Sequence, residues 1–377
     1  MGQERSAARY HRLQLLLSAL ELLIGATWLV AMAMSGLATP VAAAAGHIID
    51  QPWWIVAVVS AVIGAGHAFL TSPLAIVKGY VLPRRFGLLH QGFLAWTIDR
   101  LKAGALGAAI GLLVIEVIYA VIAATPHWWL IAGAFVSAVS LLGAVIFPVW
   151  IVPLFYQLTP LADAALAERL KALARQAGVP VIGVWVVDQS RKSRTVNAAV
   201  AGLGRTRRII LFDTLLDTLA PREAEAVLAH ELGHHARHDM WRGFLTHTAL
   251  GFATFWAADQ LLRATAGRVG LGDLADPAGL PWLALVLGAL GLGTIPRGNT
   301  YSRAIERRAD DFALRLTGDA GAFIGAMERL ADLNLAERHP PRLEELLLYS
   351  HPAVGRRIAR ARKGVGGHCA APRHRSV

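Results

Sequence analysis

Residues 221–238 read Pro221-Arg222-Glu223-Ala224-Glu225-Ala226-Val227-Leu228-Ala229-His230-Glu231-Leu232-Gly233-His234-His235-Ala236-Arg237-His238. Proline suits the first turn of a helix, where its missing N–H would be unpaired anyway. Pro221 therefore opens a helix that continues through Glu223, Ala226, Val227 and His230. Side chains four apart on a helix stand one turn above the other on one face. His230 and His234 can thus present two imidazole nitrogens to one Zn²⁺ at the usual ~2.0–2.1 Å. Glu231 lies beside them, suited to act on a water held by the metal rather than to bind the metal itself. The competing reading is a helix with spare histidines, and His235 and His238 show that this segment has some.

The third ligand decides the class of site. A metzincin continues the motif with a glycine and then a third histidine, but Arg237 and Met240 occupy those two places, so that arrangement is excluded. The single Cys369 also excludes a cysteine-based zinc cluster and an internal disulfide framework. Between Asn299 and Leu314 the run Ser302-Arg303-Ala304-Ile305-Glu306-Arg307-Arg308-Ala309-Asp310 is helical in pattern, with Glu306 and Asp310 again four apart. One carboxylate can complete the metal site while that of the next turn accepts the free imidazole N–H of His230. The alternative is a solvated helix whose acids pair with Arg303, Arg307 and Arg308.

Around these motifs the chain is apolar. Of its 377 residues 55% are hydrophobic and 17% charged, against ~25% charged in an ordinary soluble domain. Disorder, collagen and coiled coil are excluded. The apolar residues fall in blocks at 13–36, 53–77, 103–124, 128–152, 244–264 and 280–296, six candidate spans of which the last two carry the weakest pattern. The first block is too long for a signal peptide and reads as a retained anchor. Lys and Arg concentrate on the cytoplasmic side of membranes. The stretch 37–52 has neither, whereas 78–102 holds Lys78, Arg84, Arg85, Arg100 and Lys102, and the polar region from 156 onward is rich in Arg. The N-terminus, the second loop and the large polar region are therefore expected on the cytoplasmic side. Within the blocks His67, Glu116, His247 and Asp259 are expected either in satisfied contacts between helices or lining a polar chamber.

The net charge of +11 suits an anionic lipid surface given those blocks. The basic tail, 363–377, has no interleaved aromatics of the kind that bind single-stranded nucleic acid, and no nucleic-acid partner or obligate protein partner is expected. In the polar region an amphipathic helix is expected over 160–177, ended by Gly178 and Pro180. Two short strands follow at Val184–Val187 and Ile209–Phe212, separated by a polar stretch with Asn197, Gly202 and Gly204.

Taken together the motifs resemble one family. The run from Pro153-Leu154-Phe155 through Asp188, Ser190, Asn197-Ala198, the segment Arg208 to Leu216, His230 to His234, Ser302-Arg303 with Glu306 and Ala309-Asp310, and Ser350-His351-Pro352 with Arg357 is similar to the integral-membrane zinc metallopeptidases of the CAAX prenyl protease type I family. Pro83-Arg84-Arg85-Phe86-Gly87-Leu88, with Gln91, Trp96, Asp99 and Lys102, resembles that family's second cytoplasmic loop. The likeness runs over about residues 80–362.

The resemblance implies a gluzincin core, with His230, His234 and Glu306 as zinc ligands, Glu231 as general base and Asp310 behind His230. It implies that an edge strand carrying Asn197 and Ala198 holds a peptide substrate by backbone pairing, although Asn197 also reads as a turn residue. It makes His351 and Arg357 candidates for stabilising an oxyanion or tethering substrate, against a plain helix start at Pro352 with a surface arginine. The expected fold is predominantly α, a polytopic helical membrane protein with a zincin-type domain holding a small β-sheet or hairpin. Its membrane part is expected over 1–155 and its peptidase part over 156–362, the latter interrupted by the apolar helices 244–264 and 280–296. The expected activity is zinc-dependent hydrolysis of peptide bonds in membrane-associated or prenylated substrates. Two alternatives stay open, a quality-control protease of the HtpX heat-shock type and a catalytically silent zinc-binding scaffold. Eukaryotic members have seven spans against six counted here. Arginine outnumbers lysine 32 to 5, a bias common in high-GC bacteria. A bacterial cell membrane is thus the expected location, where prenylated proteins are not expected as natural substrates.

Overall fold

The computed structural model describes residues 2–202 and 204–368, without the side chains of residues 3, 205 and 364–368. Cys369 and most of the basic tail lie outside the described residues. The chain begins with α1 (Gly2–Met34), α2 (Ala38–Ile48) and α3 (Pro52–Ile76), which passes through a π turn into the short α4 (Leu82–Arg85). Two long helices follow, α5 (Phe93–Ala124) and α6 (Trp128–Ile146). Four stretches here, Glu4–Met34, Pro52–Arg85, Phe93–Ala124 and Trp128–Leu154, are long and apolar enough to cross a bilayer, and Pro277–Thr317 is the fifth among the described residues. The protein is an integral membrane protein.

The remaining expected span, 244–264, does form a helix, α10 (Asp239–Thr265), yet it is not among those five. His247, Asp259 and Gln260 dilute its apolar character. It nevertheless packs inside the membrane part, where Phe255, Ala258 and Leu262 join Val59, Trp128, Ala132 and Leu283 in one buried cluster. Asp259 is buried there and satisfied, accepting from the Trp128 indole N–H at 2.7 Å and from Arg263 at 2.9 Å, as an intramembrane carboxylate must be. His247 instead lines a cavity of about 540 Å³ between α10 and the following long helix. Both expected roles are thus represented, while Glu116 takes neither: its Oε1 is buried with no hydrogen-bond partner among the described residues.

The polar region starts with β1 (Leu158–Pro160), α7 (Ala164–Gln176), β2 (Val184–Val187), β3 (Ala198–Ala201), β4 (Arg208–Phe212), α8 (Asp213–Thr218) and α9 (Pro221–Ala236). Asp163 caps α7 by accepting from the Leu166 N–H, and Gly178, at φ +70, ends it in the left-handed conformation that glycine alone adopts without cost. The strands form one sheet in the order β1-β2-β4-β3, with β2 and β4 parallel and both outer pairs antiparallel. Two of these strands match the expected ones. The outer strand β3 lies where the resemblance implied an edge strand, beginning at Ala198, whereas β1, at 3 residues, is too short to show a period of its own.

After α10 come α11 (Leu280–Thr317), α12 (Ala320–Leu333), α13 (Arg342–Leu348) and α14 (Val354–His368). Leu170, Ile209, Leu211, Leu215, Leu228 and Leu232 bury α7, α8 and α9 against the sheet. Ala226, Ala229, Ala313, Phe323, Met327 and Ile358 pack the other side of α9 against α11, α12 and α14. With apolar layers on both sides, α9 is held as a central helix.

Candidate metal centre

The face of α9 that carries His230 and His234 meets α11. Helix α9 opens as its sequence implies, with Pro221 in the first turn and the Glu223 carboxylate reaching back to accept the Ala220 N–H at 2.8 Å. One position then sets its distance from α11. A methyl group added at Gly233 would stand 3.1 Å from the Phe312 ring and 3.4 Å from the Ala309 Cα, so the bare glycine accommodates a close approach that any side chain would meet only by displacing Phe312. The close approach brings Glu306 and Asp310, one turn apart on α11, to the rings on α9.

The His230 Nε2 lies 3.2 Å from Glu306 Oε2, and the His234 Nε2 lies 3.4 Å from Glu306 Oε1. Ligand atoms of these three residues all fall within 4.8 Å of one another. Asp310 stands behind the first ring, its Oδ1 2.9 Å from His230 Nδ1. A carboxylate there favours the proton on Nδ1 and leaves Nε2 free to face the space shared with His234 and Glu306. Asp310 is held in turn by Arg357, which donates to both of its oxygens. Arg303, Arg307 and Arg308, the alternative partners for these acids, do not pair with them: buried Arg303 donates to the carbonyls of Glu345, Leu346 and Tyr349 instead. Those bonds hold the segment that leads to His351, whose Nε2 lies 3.4 Å from Glu306 Oε1.

The second imidazole has a partner that the sequence did not reveal. Asp239, buried at the start of α10, places Oδ2 3.2 Å from His234 Nδ1. His238 makes this possible by adopting a left-handed conformation, φ 55, between α9 and α10, which folds the chain back so that a residue five positions on returns to the ring. Helical periodicity would put position 239 on another face. The one available signal is a carboxylate just past the end of the motif helix.

Burial alone would lower the affinity of His230 for a proton, but the carboxylates of Asp310 and Glu306 overcome it and raise the imidazolium to about 9. Burial likewise pushes the Glu231 carboxyl up, opposed by the two neighbouring histidines. Glu231 has no hydrogen bond or ion pair among the described residues. Glu306 Oε2 is buried with no donor aligned on it. Two imidazoles and a carboxylate converging on a space bordered by an undonated buried oxygen are the donor set of a zinc ion. The residues fit the metal.

The remaining expected pair sits at the sheet. Asn197 immediately precedes β3, its carbonyl accepting the Phe212 N–H, and Ala198 is the first strand residue. Because β3 is an outer strand, the alternation that turns the Asn197 main chain towards β4 turns the N–H and C=O groups of Ala198 and Val200 outward, while their side chains stay buried. The Asn197 side chain already accepts from the Ala198 N–H, and the Val200 carbonyl lies 2.7 Å from His235 Nε2. The outer edge is thus tied to α9, the helix that carries the histidines.

This geometry, on helices long enough to cross a bilayer, places the protein in the class of integral-membrane metallopeptidases. The comparisons with known proteins agree. Residues 160–365 match peptidase family M48, and residues 3–157 match the CAAX prenyl protease N-terminal family of five membrane helices. The chain belongs to the M48 peptidase family, a family of zinc-dependent hydrolases. It is 30% identical over 299 residues to an uncharacterized metalloprotease of Bacillus subtilis, covering 78% of this chain and 70% of that one. It is 30% identical to the CAAX prenyl protease 1 homolog of Arabidopsis thaliana (76% and 68% covered) and 29% identical to CAAX prenyl protease 1 of Saccharomyces cerevisiae (76% and 67% covered). In fold it resembles the crystal structure of S. mikatae Ste24p, with a TM-score of 0.85 at 23% identity, covering 96% of this chain and 89% of that one.

Proposed function

We propose that the protein is a zinc endopeptidase acting at the cytoplasmic side of the membrane on membrane-associated polypeptides, including lipidated ones of the CAAX type. The observation that carries this is the convergence of His230, His234 and Glu306 beside the unpartnered carboxylate of Glu231. When bound by those three residues, Zn²⁺ supplies a Lewis acid that polarises a carbonyl and makes water acidic near neutral pH.

The chain's own groups do the rest. A substrate strand lies along the outer edge at Ala198, antiparallel pairing fixing its scissile carbonyl relative to α9. Glu231 takes the proton of the attacking water and returns it to the leaving amine. Burial suits it to both roles, because a carboxyl pushed upward holds the proton long enough to deliver it. His351, facing Glu306 with an exposed ring, donates to the oxygen as negative charge develops. Arg357 acts through Asp310, keeping it anionic and aligned on His230.

Asp239 has the matching task for His234. Asp239→Ala is expected to weaken zinc binding ~10–100-fold, the usual effect of losing a ligand's hydrogen-bond partner. Competition against a chromogenic chelator measures this, and an unchanged affinity would show that Asp239 serves only to start α10.

The reading of substrate rests on the cavity lined by His247. It is walled by Leu250, Phe255, Leu287 and Ile295 and extends to Ser350, next to His351. An apolar chain attached to a peptide would cover those walls, at about 25 cal/mol per Å² removed from water. Detergent-solubilised, zinc-loaded protein should therefore cut a farnesylated peptide faster than the same peptide without the lipid, the products being read by mass spectrometry. Equal rates would remove the lipid from the proposal. Cleavage of neither, nor of an unfolded membrane-protein substrate, would overturn the endopeptidase reading.

A further inference from the structure

A second feature lies on the far side of Asp310 from the histidines. There a cavity of about 490 Å³ is lined by six arginines, Arg303, Arg307, Arg342, Arg356, Arg357 and Arg360, with only two carboxylates, Asp310 and Glu345, in its wall. Four of the six are engaged: Arg303 on main-chain carbonyls, Arg356 on Glu345, Arg357 on Asp310 and Arg360 on Asp311. Arg307 and Arg342 are exposed and have no acidic partner among the described residues. An open concavity with surplus guanidinium groups calls for an anion with several acceptor oxygens.

The helix that borders this cavity carries an apolar face. On α13, which has the sequence Arg-Leu-Glu-Glu-Leu-Leu-Leu, Leu343, Leu346, Leu347 and Leu348 are between 38% and 67% exposed. Four outward leucines on seven residues are out of place in water. The contacts of α13 show at what depth it lies. Glu344 bonds His11, just before the apolar run that Leu13 opens in α1, and Tyr349, just after the helix, bonds the same ring. On α11 the Asn299 side chain donates to the Leu347 carbonyl, just after the apolar run that Ile295 closes. Two independent spanning helices therefore change from apolar to charged at the residues that touch α13. It lies in the plane where hydrocarbon gives way to headgroups.

We propose that α13 and the arginine-lined cavity form a binding site for an anionic phospholipid, the leucines entering the acyl boundary and Arg307 and Arg342 holding the headgroup phosphate. An apolar face beside surplus basic charge is the composition of interfacial segments that bind acidic lipid. Because Glu345 and Tyr349 are tied through Arg303 to the helix bearing Glu306, the lipid would seat the peptidase region on the bilayer next to its catalytic groups. The inference does not rest on the catalytic reading, since it is tested by binding alone.

The test titrates the full-length protein in detergent with short-chain phosphatidylglycerol, short-chain phosphatidylcholine and inorganic phosphate, followed by calorimetry. Phosphatidylglycerol is expected to bind at least about tenfold more tightly than either of the others. The double substitution Arg307→Gln/Arg342→Gln is expected to weaken it about thirtyfold, each basic residue near an acidic lipid counting at its ordinary worth. Arg308→Gln/Arg315→Gln, which removes two exposed arginines of α11 outside the cavity, is expected to leave it unchanged. Leu343→Ser/Leu347→Ser should weaken phosphatidylglycerol and leave inorganic phosphate as it was. Equal binding of the two lipids, inorganic phosphate binding as tightly as phosphatidylglycerol, or equal losses from both arginine pairs would each overturn the proposal.

Discussion

Glu231→Gln is expected to retain one zinc per chain and to lose cleavage by ~10²–10⁴-fold, the range that a positioned general base contributes. The substitution keeps the shape of the side chain and the packing of α9, and it touches none of the groups within 4.8 Å of one another that form the ligand set. It removes only the ability to take a proton from water. The position is unusually clean for such a test because Glu231 holds no ion pair or hydrogen bond among the described residues. No structural partner is orphaned, so melting temperature should stay near that of the native chain. Metal content by mass spectrometry and peptide turnover are the two readouts. A Glu231→Gln protein that still cuts at the native rate would refute the role, and one that loses zinc would show that Glu231 belongs to the ligand set after all.

His230→Ala is expected to lose metal and activity together. The ring bridges Glu306 on one side and Asp310 on the other, and it is buried. Truncation leaves two buried carboxylates facing a void, with Asp310 still paired to Arg357 but Glu306 without its nearest ring. Losing a buried charge's partner costs several kcal/mol, in the range of ~3–5, so the variant should also melt earlier. Its response to metal separates the two effects. For the native protein, zinc at about 100 times its dissociation constant adds ~2.7 kcal/mol of stability, which a chelator removes. The variant, already without the ligand, should melt at the same temperature with and without chelator. A His230→Ala protein that binds zinc stoichiometrically would overturn the ligand assignment, whatever its activity.

Much of the molecule was legible from order along the chain, because the information is local. Five of the six apolar blocks coincide with helices able to span a bilayer, since twenty apolar residues in a row carry their own length and hydrophobicity. The Pro221 start, the Gly178 stop and the strands at Val184–Val187 and Arg208–Phe212 follow from proline and glycine backbone limits and from runs of β-branched residues. The block 244–264 was the marginal case. Its helix forms, but the polar His247, Asp259 and Gln260 that weaken it as a span have tertiary uses, a cavity wall for one and a buried bond to Trp128 for another. Strand β1 is only Leu-Thr-Pro and β3 is Ala-Ala-Val-Ala, without the β-branched run that marks β2 and β4, so their partners, not their composition, make them strands.

The sequence by itself determined that two imidazoles share one helix face, since four residues make one turn and nothing beyond that helix is needed. It also offered Glu306 and Asp310 as candidate donors once cysteine and the metzincin's third histidine were excluded, and the family resemblance implied Glu306 as the third ligand. Tertiary structure alone decided how those pieces meet. The missing side chain at Gly233 lets α11 approach α9 closely enough for Glu306 to face both rings and Asp310 to stand behind one of them. Arg303 holds the chain that delivers His351, and the left-handed turn at His238 returns Asp239 to His234. Such meetings join residues far apart in the chain or break the helical period, and they depend on shape complementarity between surfaces that a linear pattern does not encode.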